Sequence, residues 1–562
     1  MTNQNNKAKG EGVRFASIVF IVLMTLLMAL PAGYDHRFVN NLFRAGLVQA
    51  FGYSVVMLVL SWNSVWLRRI FFTIAYILMI VETFLYIKFG SRLDPNMLTL
   101  MLQTSWNEIK EFTLVYMMSP YTMMFFAVSI IAYVACLKLI CMDKMISTTR
   151  RGVHIIQCLV TIAAVVALAV QFVHLPESFT RYVAIPLGRT TVNELIMSIR
   201  FVTERHSETD RMAATIDKIK ITRPVDTTSA PTLVFIIGES FNKNHSSLYG
   251  YSLPTSPLLD AELKRGNLIC FDNAMSPTSG TDFAMRYLFT LRGCEHTDWT
   301  TDTADVHQYV LMPAVIRKAG GRVAYFDNQY TRSRGGMFDY SCSYFLNPPQ
   351  IDSQCFDFRN DKLQTYDLDF IMYYKDEFFK RPADLNIIHL MGQHFDAKLR
   401  YPDTWEVLFT KEDIKRSDLS ANECQKVAEY DNATLYNDCV VARIIDEFRE
   451  IDAVVIYVSD HGEQIYDGQK RYFGRGFIDY DDAESINAIY NVPMMVWCSD
   501  RFITNHDETY QTIRQAVHQP VCTADLPYML FSLAGIDFNF NKPDRSVIDK
   551  NYIPHQVRLN KK

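Results

Sequence analysis

The chain carries little net charge. Its 61 acidic and 56 basic side chains leave −5 over 562 residues, so there is no basic excess of the kind nucleic acid demands. It also lacks an internal repeat and any long low-complexity tract. No small-residue cleavage pattern follows the first apolar run, Phe15–Ala32. With four more apolar runs behind it, that run reads as a membrane span and not as a signal peptide.

What is present is unevenly spread. An overall hydrophobic content of 49% conceals an apolar first third and an ordinary water-soluble remainder. The first third divides into five candidate spans: Phe15–Ala32, Ala45–Trp62, Ile70–Ile87, Thr122–Cys141 and Val153–Val173. Each has roughly the length a bilayer needs. Lys7, Lys9 and Arg14 precede the first span. Arg68 and Arg69 lie between the second and third, and Lys144, Arg150 and Arg151 between the fourth and fifth. These basic segments alternate as cytoplasmic loops do. An odd number of spans then puts everything after Val173 across the membrane. The competing topology merges or drops one span and keeps that large part in the cytoplasm.

Three segments follow: an anchor over 1–173, a polar connector over 174–230 with a helix near Val192–Arg205, and a large domain over 231–562. Between spans three and four, Asp94-Pro95 opens an amphipathic pattern over 94–110 that predicts a helix lying on the outer membrane surface. Thr104 and Glu108 share one face of it; a packing helix with solvated polar positions explains them equally. Glu82, in span three, is an acid at membrane depth, either functional or snorkelling. Of eleven cysteines, eight fall in the large domain: Cys270, Cys294, Cys342, Cys355, Cys424, Cys439, Cys498 and Cys522. An even count in an oxidising compartment permits disulfides, with Cys342–Cys355 the most local loop.

In the large domain, strand patterns at Leu233–Ile237, Arg322–Phe326, Leu385–Leu390, Val454–Val458 and Met494–Trp497 alternate with helical ones. That alternation predicts an α/β domain, a mostly parallel sheet covered by helices on both faces. Two of the strands end in chemistry. The β-branched run Ala453–Ser459 gives way to Asp460-His461-Gly462-Glu463, and Thr232–Ile237 to Gly238-Glu239-Ser240. In open α/β sheets ligands gather beyond the carboxyl ends of the strands. A carboxylate pair with a histidine there suits a borderline cation such as zinc, although strand-end turns capped by Asp and His are common too. Thr281 falls where a loop of small residues enters a helix. As an N-cap it would satisfy a free amide. As a hydroxyl beside a cation it would be an activated nucleophile. On chemistry alone Thr278 and Ser279 compete for that role.

The motifs together resemble a family. Gly238-Glu-Ser240, His245-Ser-Ser-Leu-Tyr-Gly-Tyr251, Thr255-Ser-Pro257, Ser276-Pro277 with Thr281, Tyr430-Asp-Asn432 and Ser459-Asp-His-Gly-Glu463 occur in the order seen in bacterial phosphoethanolamine transferases. These are membrane-anchored members of the alkaline phosphatase/sulfatase superfamily. The resemblance includes the five-span anchor and so covers nearly the whole chain. It implies an inner-membrane protein with a periplasmic catalytic domain. It implies a zinc site (Mn2+ or another divalent cation being alternatives) made by Glu239, Thr281, Asp460 and His461. Thr281 would take phosphoethanolamine from phosphatidylethanolamine and pass it to a lipopolysaccharide core sugar, lipid A or another envelope acceptor. The resemblance gives His394 a phosphate-binding or proton-donating role, and gives Thr104 and Glu108 contacts with the donor head group.

Two departures stand out. Many relatives carry another histidine within about twenty residues of the Ser-Asp-His-Gly-Glu motif; here Asp467–Gly476 has none and offers Lys470, Arg471 or Arg475. Leu100 stands where relatives acting on lipid A often have Asn. Rival readings are a lipoteichoic-acid-synthase-like glycerophosphate transferase, a phosphatase or sulfatase using water as acceptor, and a membrane-anchored binding protein with a decayed site. A sulfatase would need a Cys/Ser-x-Pro-x-Arg setting, absent around Thr281.

Overall fold

The structure is a computed structural model that describes residues 12–29, 50–51, 53–58, 65–89, 110, 112–140, 145–147, 208–294, 305–330, 341–380, 383–405, 407–475 and 478–555. The chain forms two compact units, 1–204 and 205–562.

In the first unit, the long described helices are α1 (Phe15–Ala29), α2 (Val65–Phe89) and α3 (Pro120–Ile140). Val65–Lys88 and Pro120–Ile140 are long and apolar enough to cross a membrane by length and composition. The helices meet around Phe20, Met24, Phe72, Tyr76 and Ile140. Polar pairs tie α2 to α3: Thr73 Oγ1 with the Tyr133 hydroxyl at 2.8 Å, and Tyr76 donating to the Ser129 carbonyl at 2.7 Å. Such bonds hold helices together where apolar burial gives no net drive. Glu82 is fully buried on α2. Of the second expected span, residues 50–51 and 53–58 are helical. The fifth span, all but residue 110 of the expected surface helix, with Thr104 and Glu108, and the helix near Val192–Arg205 lie outside the described residues.

The second unit is built on a seven-stranded sheet: β1 (Thr232–Gly238), β2 (Leu268–Phe271), β3 (Val323–Asp327), β4 (Phe358–Arg359), β5 (Leu385–His389), β6 (Ala453–Ser459) and β7 (Met494–Cys498). The strand order is β2-β7-β6-β1-β5-β3-β4. Strands β6, β1, β5, β3 and β4 run parallel. The sheet is mostly parallel as expected, with one reversal: β7 runs antiparallel to β6 and to β2, so the sheet is mixed. Both faces are covered. Leu233, Phe235, Ile237, Val454, Ile456 and Val458 point into one core, and Val234, Ile236, Val455 and Tyr457 into the other. Successive side chains of a strand alternate faces, so continuous apolar runs are what a doubly covered strand requires.

Cys342 and Cys355 are both free and buried in the core, so the expected local loop does not close. Cys355 ends a helical turn whose thiol backs onto Ala314, whereas Cys342 faces the charges of Asp327 and Asp282.

Candidate active site

The parallel register aligns the ends of the two central strands, Ser459 opposite Gly238. The next residues, Glu239 and Asp460–His461, therefore emerge side by side. A ligand atom from each of Glu239, Asp460 and His461 lies within 4.8 Å of the others, and all three residues are buried. The turn at Ser240 is left-handed, with φ of 57°, a conformation that non-glycine residues hold only when surroundings enforce it. They do. The Tyr430 hydroxyl donates to the Ser240 carbonyl at 2.6 Å and accepts from the Asn242 amide at 2.7 Å. Asp460 Oδ1 accepts from the Ser240 amide at 3.1 Å. The backbone of Gly392 closes in from β5's end; a Cβ there would lie 2.8 Å from the Glu239 amide nitrogen and carbonyl oxygen.

Thr281 opens helix α4 (Thr281–Phe289), but it is not a cap: Gly280 holds the N-cap position, with no side-chain capping bond. Its hydroxyl instead donates to Glu239 Oε2 at 2.9 Å and sits 3.1 Å from His461 Nε2. The competing hydroxyls are engaged elsewhere. Thr278 Oγ1 accepts from the Gly280 amide, and Ser279 bonds Tyr490. Ser276 donates to the Asp460 carbonyl at 2.6 Å, pinning the loop to β6's end.

The donor chemistry fits a cation. His461 Nδ1 lies 2.9 Å from the Gly462 carbonyl, which can only accept, so Nδ1 carries a proton and Nε2 is the ring nitrogen left for a metal, facing Thr281 and Glu239. Asp460 Oδ2 is buried, and the contact it makes is with His461 Nε2 at 3.0 Å, two ligand-type atoms side by side that a shared cation would satisfy. Glu239 Oε1 accepts from Ser240 at 2.6 Å and Oε2 from Gln329 at 3.1 Å. Burial alone would raise the Glu239 carboxyl, but the charges of His461, His394 and Arg475 outweigh it and hold the group below the usual carboxylate range. Glu463, by contrast, is pushed up by burial despite Arg475.

His394 is half-buried, bonds the Phe395 carbonyl through Nδ1 at 2.9 Å and lies near enough for its charge to act on Glu239 and Glu463. One residue escaped the sequence reading. Gln329 follows β3 and joins Glu239 to the Leu390 carbonyl; nothing in its local sequence marks it. Arg475 was one of three cations left open, and the structure separates them. Strands Gln464–Asp467 and Tyr472–Gly474 pair so that Gln464 faces Gly474. The chain after Gly474 thus returns beside Glu463, and Arg475 enters the cluster. Lys470 and Arg471 stay at the hairpin tip on surface carboxylates Asp479 and Asp418.

The sulfatase family model matches residues 231–536, more than half of the chain. The chain belongs to the sulfatase family. Among characterised proteins it is 29% identical over 332 residues to phosphoethanolamine transferase EptC of Escherichia coli O18:K1:H7, covering 57% of this chain and 54% of that protein. It is 26% identical over 275 residues to the Kdo(2)-lipid A phosphoethanolamine 7''-transferase of Escherichia coli K12, covering 49% and 45%. The chain thus spans about half the length of the curated relatives it matches. Among solved structures, the integral membrane protein lipooligosaccharide phosphoethanolamine transferase A of Neisseria meningitidis shares the fold over 95% of this chain and 97% of its own, with 17% identity and a TM-score of 0.63.

Proposed function

We propose that this chain is a zinc-dependent phosphoethanolamine transferase. Its donor is phosphatidylethanolamine and its acceptor a lipopolysaccharide core sugar or lipid A. We place it in the bacterial inner membrane on five spans, with residues 231–562 in the periplasm. The observation that carries the reading is the Thr281 hydroxyl lying on both Glu239 Oε2 and His461 Nε2 at the head of a helix. The relatives' activities name the group transferred.

Glu239, Asp460, His461 and Thr281 would hold the ion. Bound there, a divalent cation supplies charge to acidify a hydroxyl and to neutralise phosphoryl oxygens. The protein does the rest. Glu239 Oε2 holds the Thr281 proton and orients the oxygen. Thr281 Oγ1 forms a bond to phosphorus as the bond from phosphorus to the diacylglycerol oxygen breaks, and His394 gives that oxygen its proton. An acceptor hydroxyl (or protonated phosphate oxygen) then attacks the phosphoethanolamine-threonine and passes its proton to His394, while the bond from phosphorus to Thr281 breaks and Thr281 takes back the proton held by Glu239. Splitting the reaction lets one site serve a lipid donor and a different acceptor in turn. Thr104 and Glu108 contact the donor head group in this reading.

The test is a transfer assay on the purified full-length protein, with phosphatidylethanolamine labelled in its ethanolamine and lipopolysaccharide as acceptor. Equal appearance of diacylglycerol and labelled lipopolysaccharide supports the reading. Diacylglycerol from phosphatidylglycerol but not from phosphatidylethanolamine would replace it with glycerophosphate transfer. Release of free phosphoethanolamine alone would make the protein a hydrolase.

A further inference from the structure

The cation cluster contains a positive side chain whose position the proposed chemistry has not yet used. Arg475 sits among the groups that define the site. Its Nη1 donates to the Ser279 carbonyl at 3.0 Å and also contacts His461 Nε2, the lone pair expected to face a metal. Its Nε lies 3.2 Å from Glu463 Oε2, and its Nη2 4.0 Å from Glu239 Oε1. The side chain is 23% exposed, so one edge meets solvent while the rest is enclosed.

Placement and donor count both give this guanidinium a task. Arg475 lies against Glu463, while Glu239 and Asp460 are the two carboxylates that a single divalent ion would face. A second divalent ion would need further anionic ligands, and among the described residues the metal-type cluster contains only Glu239, Asp460 and His461. The donors point the same way. Nη1 carries two hydrogens. One goes to Ser279 and the other to His461 Nε2; a metal that takes Nε2 deprives the second hydrogen of the acceptor it has here. A planar guanidinium with an unsatisfied N–H beside a nucleophilic hydroxyl is a ready ligand for a phosphoryl oxygen.

We propose that Arg475 is the phosphoryl-binding cation of this site, contacting the transferred group where a second metal ion would otherwise be needed, so that the chain works with one divalent ion. The proposal rests on the phosphoethanolamine-transfer reading for the identity of the group, but not for the anion site itself. Lys470 and Arg471 cannot take this role from the hairpin tip, where they are half exposed and paired with Asp479 and Asp418.

The test uses the full-length protein in detergent, loaded with zinc, as wild type, Arg475→Gln, Arg475→Lys and Lys470→Gln. Metal content is counted by mass spectrometry with and without inorganic phosphate, phosphate binding is measured calorimetrically, and thermal midpoints check folding. We expect about one zinc per chain in every variant. Phosphate binding should weaken about 10- to 100-fold in Arg475→Gln, the range for a lost charged hydrogen bond. Arg475→Lys should fall between, since it keeps the charge and loses the fork, and Lys470→Gln should match wild type. Added guanidinium should recover part of the Arg475→Gln loss. Wild-type phosphate affinity in a folded Arg475→Gln overturns the proposal, and so does a second zinc bound with phosphate in the wild type. Arg475-dependent phosphate binding in a protein that transfers nothing from phosphatidylethanolamine would uphold the anion site and overturn only the assigned reaction.

Discussion

Tyr430→Phe isolates how the strained turn presents Glu239. The phenolic oxygen is fully buried and is shared by two backbone groups, the Ser240 carbonyl at 2.6 Å and the Asn242 amide at 2.7 Å. Removing it leaves a buried acceptor and a buried donor unpaired. Each costs about 1–3 kcal/mol, and the two lie on one short segment, so roughly 2–4 kcal/mol is expected for the pair. The same bonds enforce the left-handed backbone at Ser240, which costs on the order of 1–2 kcal/mol to maintain. With that clamp gone the turn relaxes and Glu239 shifts against Asp460 and His461. Zinc affinity should then fall about tenfold, an estimate equal to one 1.4 kcal/mol step. Urea unfolding of the full-length protein, followed by intrinsic fluorescence, reads the first quantity, and chelator competition reads the second. A variant within about 0.5 kcal/mol of wild type, with unchanged zinc affinity, would refute the claim that Tyr430 holds the turn.

Gly392→Ala should be more damaging than its size suggests. The new methyl group meets Glu239 backbone atoms at 2.8 Å, and φ is 50°; activity should drop by more than about tenfold, with a lower thermal midpoint. Asp438 makes a pH prediction. Burial pushes its carboxyl up to about 7, although it accepts from the Leu258 and Leu259 amides. Its folded state therefore binds a proton more tightly than the unfolded chain does, and the stability that Asp438 contributes is fully present below about pH 4 and is lost as pH rises through 7. Asp438→Asn should flatten the slope of unfolding free energy in that window; an unchanged slope would show that Asp438 does not supply it. Chelating divalent ions should lower the thermal midpoint by several degrees, because Asp460 Oδ2 and its neighbours lose their counter-charge, and zinc should restore it. No shift on chelation would contradict a metal at this site.

Much of this was legible beforehand because it is local. Buried strands announce themselves as β-branched runs, and all five expected strands are present, each ending within about two residues of its expected position. Leu268–Phe271 and Phe358–Arg359 were missed because four and two residues are too short for a period to show. The reversed direction of β7 was illegible for a different reason: an apolar run looks the same in either direction, and only the paths around it decide. Glu239, Asp460 and His461 could be found because strand ends collect ligands. The choice between Thr281 and its neighbours depended on which hydroxyl faces the cluster. The choice among Lys470, Arg471 and Arg475 depended on a hairpin register. Gln329 reaches Glu239 from a strand about ninety residues away, where sequence carries no trace of the contact.

The most direct test of the central claim is mass spectrometry of the intact protein and its peptides after incubation with phosphatidylethanolamine, for wild type and Thr281→Ala. The account predicts a phosphoethanolamine adduct on the peptide carrying Thr281, absent from the variant. An adduct on Thr278 or Ser279, or one that persists in Thr281→Ala, would contradict it.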